Sequence, residues 1–94
     1  MKRRFKMFDS VVLERDLDDK SGAALSEGVR IPAGTRGAVV EFLRLDGLAV
    51  EFFDDEGETI DVAFIPESFV RAPTPDEARA NRELNERLRA EPLR

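Results

Sequence analysis

The residues whose type and spacing admit chemistry are carboxylates, in two runs: Asp16, Asp18 and Asp19, and Asp54, Asp55, Glu56 and Glu58. Closely spaced carboxylates are what a hard cation such as Ca²⁺ or Mg²⁺ requires, and a carboxyl pair is also a general acid and base. Neither run has the spacing of an EF-hand loop, and Asp-Asp-Glu-Gly at positions 54–57 has the composition of an ordinary solvated turn. A general acid further needs a pocket that raises its pKa, and a chain of 94 residues encloses little. Ser10, Ser21, Ser26, Thr59 and Ser68 have no base beside them in sequence, and the chain holds neither histidine nor cysteine. Imidazole catalysis, thiolate catalysis, ordinary zinc sites, iron–sulfur sites and disulfides are thereby excluded. The expectation is a protein that is not an enzyme and carries no cofactor and no metal.

These acids require a scaffold, and the sequence describes one. Hydrophobic residues make up 41% and charged residues 37%, the balance of a globular chain with a small core under a dense charged surface. Val11 and Leu13 share one face of a first strand, and Val12 takes the other. Residues 15–28 follow with too few apolar positions for a strand, so they read as a long loop, for binding or mobile. Pro32 and Gly34 mark a tight turn, and Gly37 at a strand entrance permits a bulge or a close backbone approach. Asp46-Gly47 and Asp55-Glu56-Gly57 signal two hairpins. Between them Leu48, Val50 and Phe52 face one side, and Ala49, Glu51 and Phe53 the other. Ile60, Val62 and Phe64 form the expected inward set of the next strand. Residues 66–71 read as a 3₁₀ turn and a closing edge strand. The fold class is therefore mainly β: a small SH3-like antiparallel barrel of about five strands with a C-terminal α-helix.

The helix begins sharply. Thr74 is placed as N-cap, Pro75 at the first helical position and Glu77 where it completes a capping box. Its apolar face is thin, reduced to Leu84 and Leu88. Such a helix rests lightly on the barrel, pairs with a second copy as a homodimer, or awaits a partner groove. Three segments follow: a basic arm over residues 1–7, a barrel over 8–72 and a helical tail over 73–94.

The charge of these segments differs. The arm holds four Lys/Arg and no acid, the barrel fifteen Asp/Glu against six Lys/Arg, and the tail five of each. An acidic barrel repels a phosphate backbone, and without Tyr or Trp it lacks stacking platforms, so nucleic acid is disfavoured as a partner. A basic protein partner suits it better. No apolar run has the length of a membrane helix, and the N-terminus lacks the apolar core of a signal peptide, so no membrane partner and a cytoplasmic location are expected.

Asp9-x-Val11-x-Leu13, Ile31-Pro32-x-Gly34-x-x-Gly37-x-Val39-Val40-Glu41, Val50-Glu51-Phe52-x-Asp54-x-x-Gly57 and Ile65-Pro66 occur in that order. In them the chain resembles a bacterial family of short proteins known as a domain of unknown function. It also looks like the wider set of SH3-like barrels that includes KOW segments and the β-subunit fold of nitrile hydratase. The resemblance covers residues 8–71 and implies a fold rather than an activity. Some such relatives look like small partners of larger proteins, among them toxin-neutralising and immunity proteins. The loop at residues 15–30 is longer than the family pattern, and the tail from Thr74 is an addition.

The functional expectation is a protein-binding module, an inhibitor, immunity-type or accessory partner of a larger protein. A KOW-like nucleic-acid-associated barrel and a subunit or maturation helper of a metalloenzyme are the alternatives. The candidate interface comprises Asp16, Asp18, Asp19, Phe53, Asp54, Asp55, Glu56, Leu84 and Leu88. Phe52 and Phe53 are adjacent and must point to opposite faces, and whichever is outward anchors a contact or is covered by the helix.

Overall fold

β-Branched and aromatic residues alternate with small or polar ones in the sequence between Ser10 and Arg71, and turn residues divide them into short strands. The computed structural model describes residues 4–18, 20–21 and 25–90, with the side chains of residues 85 and 88–90 outside that description. Its elements are β1 (Ser10–Leu13), β2 (Arg36–Phe42), β3 (Gly47–Phe53), β4 (Thr59–Pro66), a 3₁₀ turn (Glu67–Phe69), β5 (Val70–Arg71) and α1 (Pro75–Ala90). The five strands form one antiparallel sheet in the order β4-β3-β2-β1-β5. Curled into a half-barrel, this sheet is the mainly β architecture with a C-terminal helix that the sequence predicts.

The core fills the concave side. Val11, Leu13, Val39, Leu48, Val50, Phe52, Ala63 and Ile65 are buried there, joined by Phe69 from the 3₁₀ turn and Val70 from β5. Each large side chain removed from water contributes about 1.5–3 kcal/mol, so this set provides most of the stabilisation. Gly37 shows why its position tolerates no side chain. A Cβ there would lie 2.7 Å from Val50 Cγ1 and 2.8 Å from the Glu51 carbonyl oxygen. Gly34, with φ +90, makes the turn expected after Pro32.

The β2–β3 turn is centred one residue earlier than Asp46-Gly47 suggests. Leu45 and Asp46 both have φ +58, and the Gly47 N–H donates to the Arg44 carbonyl at 3.1 Å. Two positive φ values at the central positions define a type I′ turn.

Strand β4 overturns the expected facing. Val62 and Phe64 are exposed, whereas Ala63 and Ile65 are buried. The cause is a bulge. Phe53 pairs with Thr59 but Phe52 with Asp61, so Ile60 is an extra residue in β4. One inserted residue flips every later side chain to the other face. Ala63 and Ile65 then stand opposite Val50 and Leu48 on the core side, and Val62 and Phe64 opposite Glu51 and Ala49 on the outer side. Of the expected inward set only Ile60, at the bulge, packs against the core, and it does so half-buried.

Two segments outside the strands also enter the core. Leu17 and Ile31 are buried and exchange backbone hydrogen bonds at 2.7 and 2.9 Å, and Leu25 and Val29 pack, half-buried, against the core. The long loop is therefore part of the core wall. Phe5 is buried as well, so the fold draws in a residue that the sequence places in the basic arm. Arg4 lies over the Phe5 ring and 3.6 Å from Glu67.

Candidate functional site

The loop acids serve the backbone. Asp16 Oδ1 accepts from the Ala33 N–H at 2.8 Å and so clamps the Pro32–Gly34 turn. Asp18 Oδ1 accepts from the Lys20 N–H, and the Ser21 hydroxyl donates to the Asp18 carbonyl. Both carboxylates thus stabilise turns in the way short acidic side chains commonly do. Asp19 lies outside the described residues. Asp61, which the sequence does not single out, ties this loop to β4. It accepts the Ser26 N–H at 2.7 Å and the Ser26 hydroxyl at 2.9 Å. The backbone N–H of Ser26 is the main cause of its lowered pKa.

The hairpin acids divide. Asp54 Oδ1 accepts from the N–H groups of Glu56 and Glu58, both at 2.9 Å, and Gly57 closes the turn with φ +85. Asp55 and Glu56 are exposed. Among the described residues no three carboxylates converge on one point.

Cross-strand pairing then fixes the convex face of the sheet. Val12 pairs with Arg36 and with Arg71, so all three share this face, with Phe53 beside Arg36. Phe52 is fully buried and Phe53 half-buried, so Phe53 is the outward member of the pair. The Arg36 guanidinium lies 5.9 Å from the Phe53 ring centroid and donates to the Asp54 carbonyl and, at 3.5 Å, to Asn81 Oδ1.

Helix α1 lies along this half of the face. Its start is the capping box expected from the sequence: the Glu77 N–H donates to Thr74 Oγ1, and the Thr74 N–H to Glu77 Oε1. Glu77 also accepts both terminal nitrogens of Arg71, at 2.7 and 3.0 Å. That bidentate pair holds the Glu77 carboxyl down at about 2, with help from the Thr74 N–H. Between helix and sheet runs an open groove of about 450 Å³, lined by Val12, Arg36, Phe53, Glu77 and Asn81 among others. Leu84 is half-buried, and the Leu88 side chain lies outside the description. Docking of the helix is thus light and polar, concentrated at its first turns.

The other half of the convex face is uncovered. Phe64 is 49% and Val62 39% exposed on β4, the terminal strand of the sheet. Their rows continue to half-buried Glu51 and buried Ala49 on β3 and to exposed Glu41 on β2. Pro66 is exposed one step along, opposite Gly47, and the turn beyond it carries Leu45 with 99% of its surface in water. Phe8, at φ +68, is a second bulky residue held exposed at a turn. Sequence reasoning missed this surface because it rests on the bulge at Ile60. Nothing in residue type marks that insertion; only the paired register reveals it.

Among the described residues no helix is long and apolar enough to cross a membrane. Comparison with curated proteins and with solved structures finds no match to this chain. A family model does match, over residues 7–72, which is the half-barrel from the turn before β1 to the residue after β5. The chain therefore belongs to the family described as a domain of unknown function, DUF4926.

Proposed function

We propose that this chain is a non-enzymatic protein-binding module, an inhibitor, immunity-type or accessory partner of a larger protein that acts in the cytoplasm. The observation that carries this reading is the uncovered half of the convex face, where Val62 and Phe64 stand in water on the terminal strand. Exposed aromatic and aliphatic side chains grouped on one rigid surface favour protein contact. The ionisable side chains support the same reading, since Asp16, Asp18, Asp54 and Asp61 are engaged in holding turns and the loop. In the N-terminal arm Arg4 faces Glu67 and Phe5 rather than open solvent alone, which weakens its claim as a phosphate contact.

Affinity purification of the tagged full chain from its native host, followed by reconstitution with the purified partner, tests this. A stoichiometric protein partner whose own activity changes on binding is expected. Retention of nucleic acid that is released by salt, with no protein partner, would contradict the reading.

A further inference from the structure

Three features of the sheet bear on which face binds and on the chemistry of what it binds. The first is the apolar row of Val62 and Phe64, with Pro66 beside it. The second is Leu45. Its φ of +58 is a conformation that costs an L-residue about 1–2 kcal/mol, and Asn or Gly fills such a turn position more cheaply. At 99% exposure the side chain returns nothing to the core. A bulky apolar residue held in strained backbone with no internal contact points to a role outside the fold.

The third feature is charge. The carboxylates near the strip are Glu41 and Glu51 on the sheet and Asp46 in the Leu45 turn, with Arg44 as the neighbouring base; Asp54, Asp55, Glu56 and Glu58 lie at the opposite, β3–β4 turn, and Glu67 faces Arg4. Glu41 and Glu51 share the sheet rows of Phe64 and Val62. The apolar strip is therefore flanked by two carboxylates, of which Glu51 also accepts the Thr59 hydroxyl. A second copy seated on it would set these carboxylates against their own kind, which is destabilising. A basic segment gains attraction at the same positions.

We infer that the convex face of β3–β4 together with the Leu45 tip is a docking surface for a protein segment in which aliphatic or aromatic anchors alternate with Lys or Arg. The inference rests on the protein-binding reading above and assigns it a surface. Phe64 and Leu45 are the anchors' main contacts, and Glu41 and Glu51 set sign and rate.

The test pans a random peptide library displayed on phage against the full chain and measures synthetic consensus peptides by fluorescence anisotropy. Expected are peptides combining apolar anchors with Lys or Arg, bound more weakly as ionic strength rises. Phe64→Ser and Leu45→Asn should each weaken binding about tenfold or more, the scale of a hot-spot residue. Leu84→Ser on the helix should leave it unchanged. Because Leu45→Asn relieves backbone strain, its effect cannot come from unfolding, and it decides the matter if Phe64→Ser fails to fold. Peptides whose binding survives Leu45→Asn but is lost in Leu84→Ser would overturn this surface and leave the module reading standing. A stable homodimer abolished by Phe64→Ser would overturn the choice of occupant. If neither peptide nor host protein binds, both readings fall.

Discussion

Leu45 occupies a central position of the β2–β3 turn with φ +58, and 99% of its surface is exposed, so its replacement separates backbone strain from side-chain burial. In Leu45→Asn the side chain lost buries nothing, which sets the hydrophobic penalty near zero. The left-handed conformation costs an L-residue about 1–2 kcal/mol, and asparagine relieves a good part of it, giving a net gain of about 0.5–1 kcal/mol. For a chain of this size each kcal/mol moves the thermal midpoint by about 4–8 °C, so a rise of about 2–8 °C is expected. Leu45→Ala is the control, because it removes the same exposed atoms and keeps the Cβ that causes the strain; its midpoint should stay near wild type. Thermal denaturation followed by circular dichroism, with urea titration to confirm an unchanged m-value, provides the assay. A Leu45→Ala midpoint well below wild type would show that the side chain is packed. An Asn variant no more stable than Ala would show that the turn is not of type I′. Either result refutes the reasoning.

Other parts of the structure give equally direct expectations. Gly37→Ala places a Cβ 2.7 Å from Val50 Cγ1 and 2.8 Å from the Glu51 carbonyl, so a loss of about 1–3 kcal/mol is expected by urea denaturation. Asp61→Ala releases Ser26, and faster amide exchange at residues 25–29 should accompany a global loss of no more than about 1 kcal/mol, since the bonds are exposed. Glu77 is depressed from 4.5 to about 2, so its contribution is complete above its unfolded pKa and is lost as pH falls through the folded one. Helix content should therefore drop between about pH 4.5 and pH 2 before the sheet signal changes, and Glu77→Ala should abolish that step.

The sequence is most informative where structure is local. Pro32-Ala33-Gly34 makes its turn and Thr74-Pro75-Asp76-Glu77 its capping box, because every partner lies within three residues. Gly37 was legible for a different reason: a missing Cβ at a strand entrance has few explanations, and close approach is one. The facing of β4 was not legible. Alternation from Phe52 through the Asp55–Gly57 turn leads to Ile60, Val62 and Phe64 as core residues, and one bulged residue reverses the outcome from Val62 onward. The loop escaped in a similar way. Its anchors are long-range, Ser26 to Asp61 across 35 residues and Ala33 to Asp16 across 17, and composition carries no trace of such pairs. The residues of the expected interface are dispersed over the structure. Asp16, Asp18 and Asp54 hold turns and Phe53 lies beside Arg36 near the helix, while the uncovered apolar strip is on β4.

The central claim is that this strip, and not the helix or the loop, meets the partner. Chemical-shift mapping by NMR of the labelled full chain, titrated with a basic consensus peptide, tests it most directly. The largest changes are expected at Leu45, Glu51, Val62 and Phe64, with α1 and residues 25–29 unmoved. Changes concentrated on α1 or on the loop, with β4 silent, would contradict the claim.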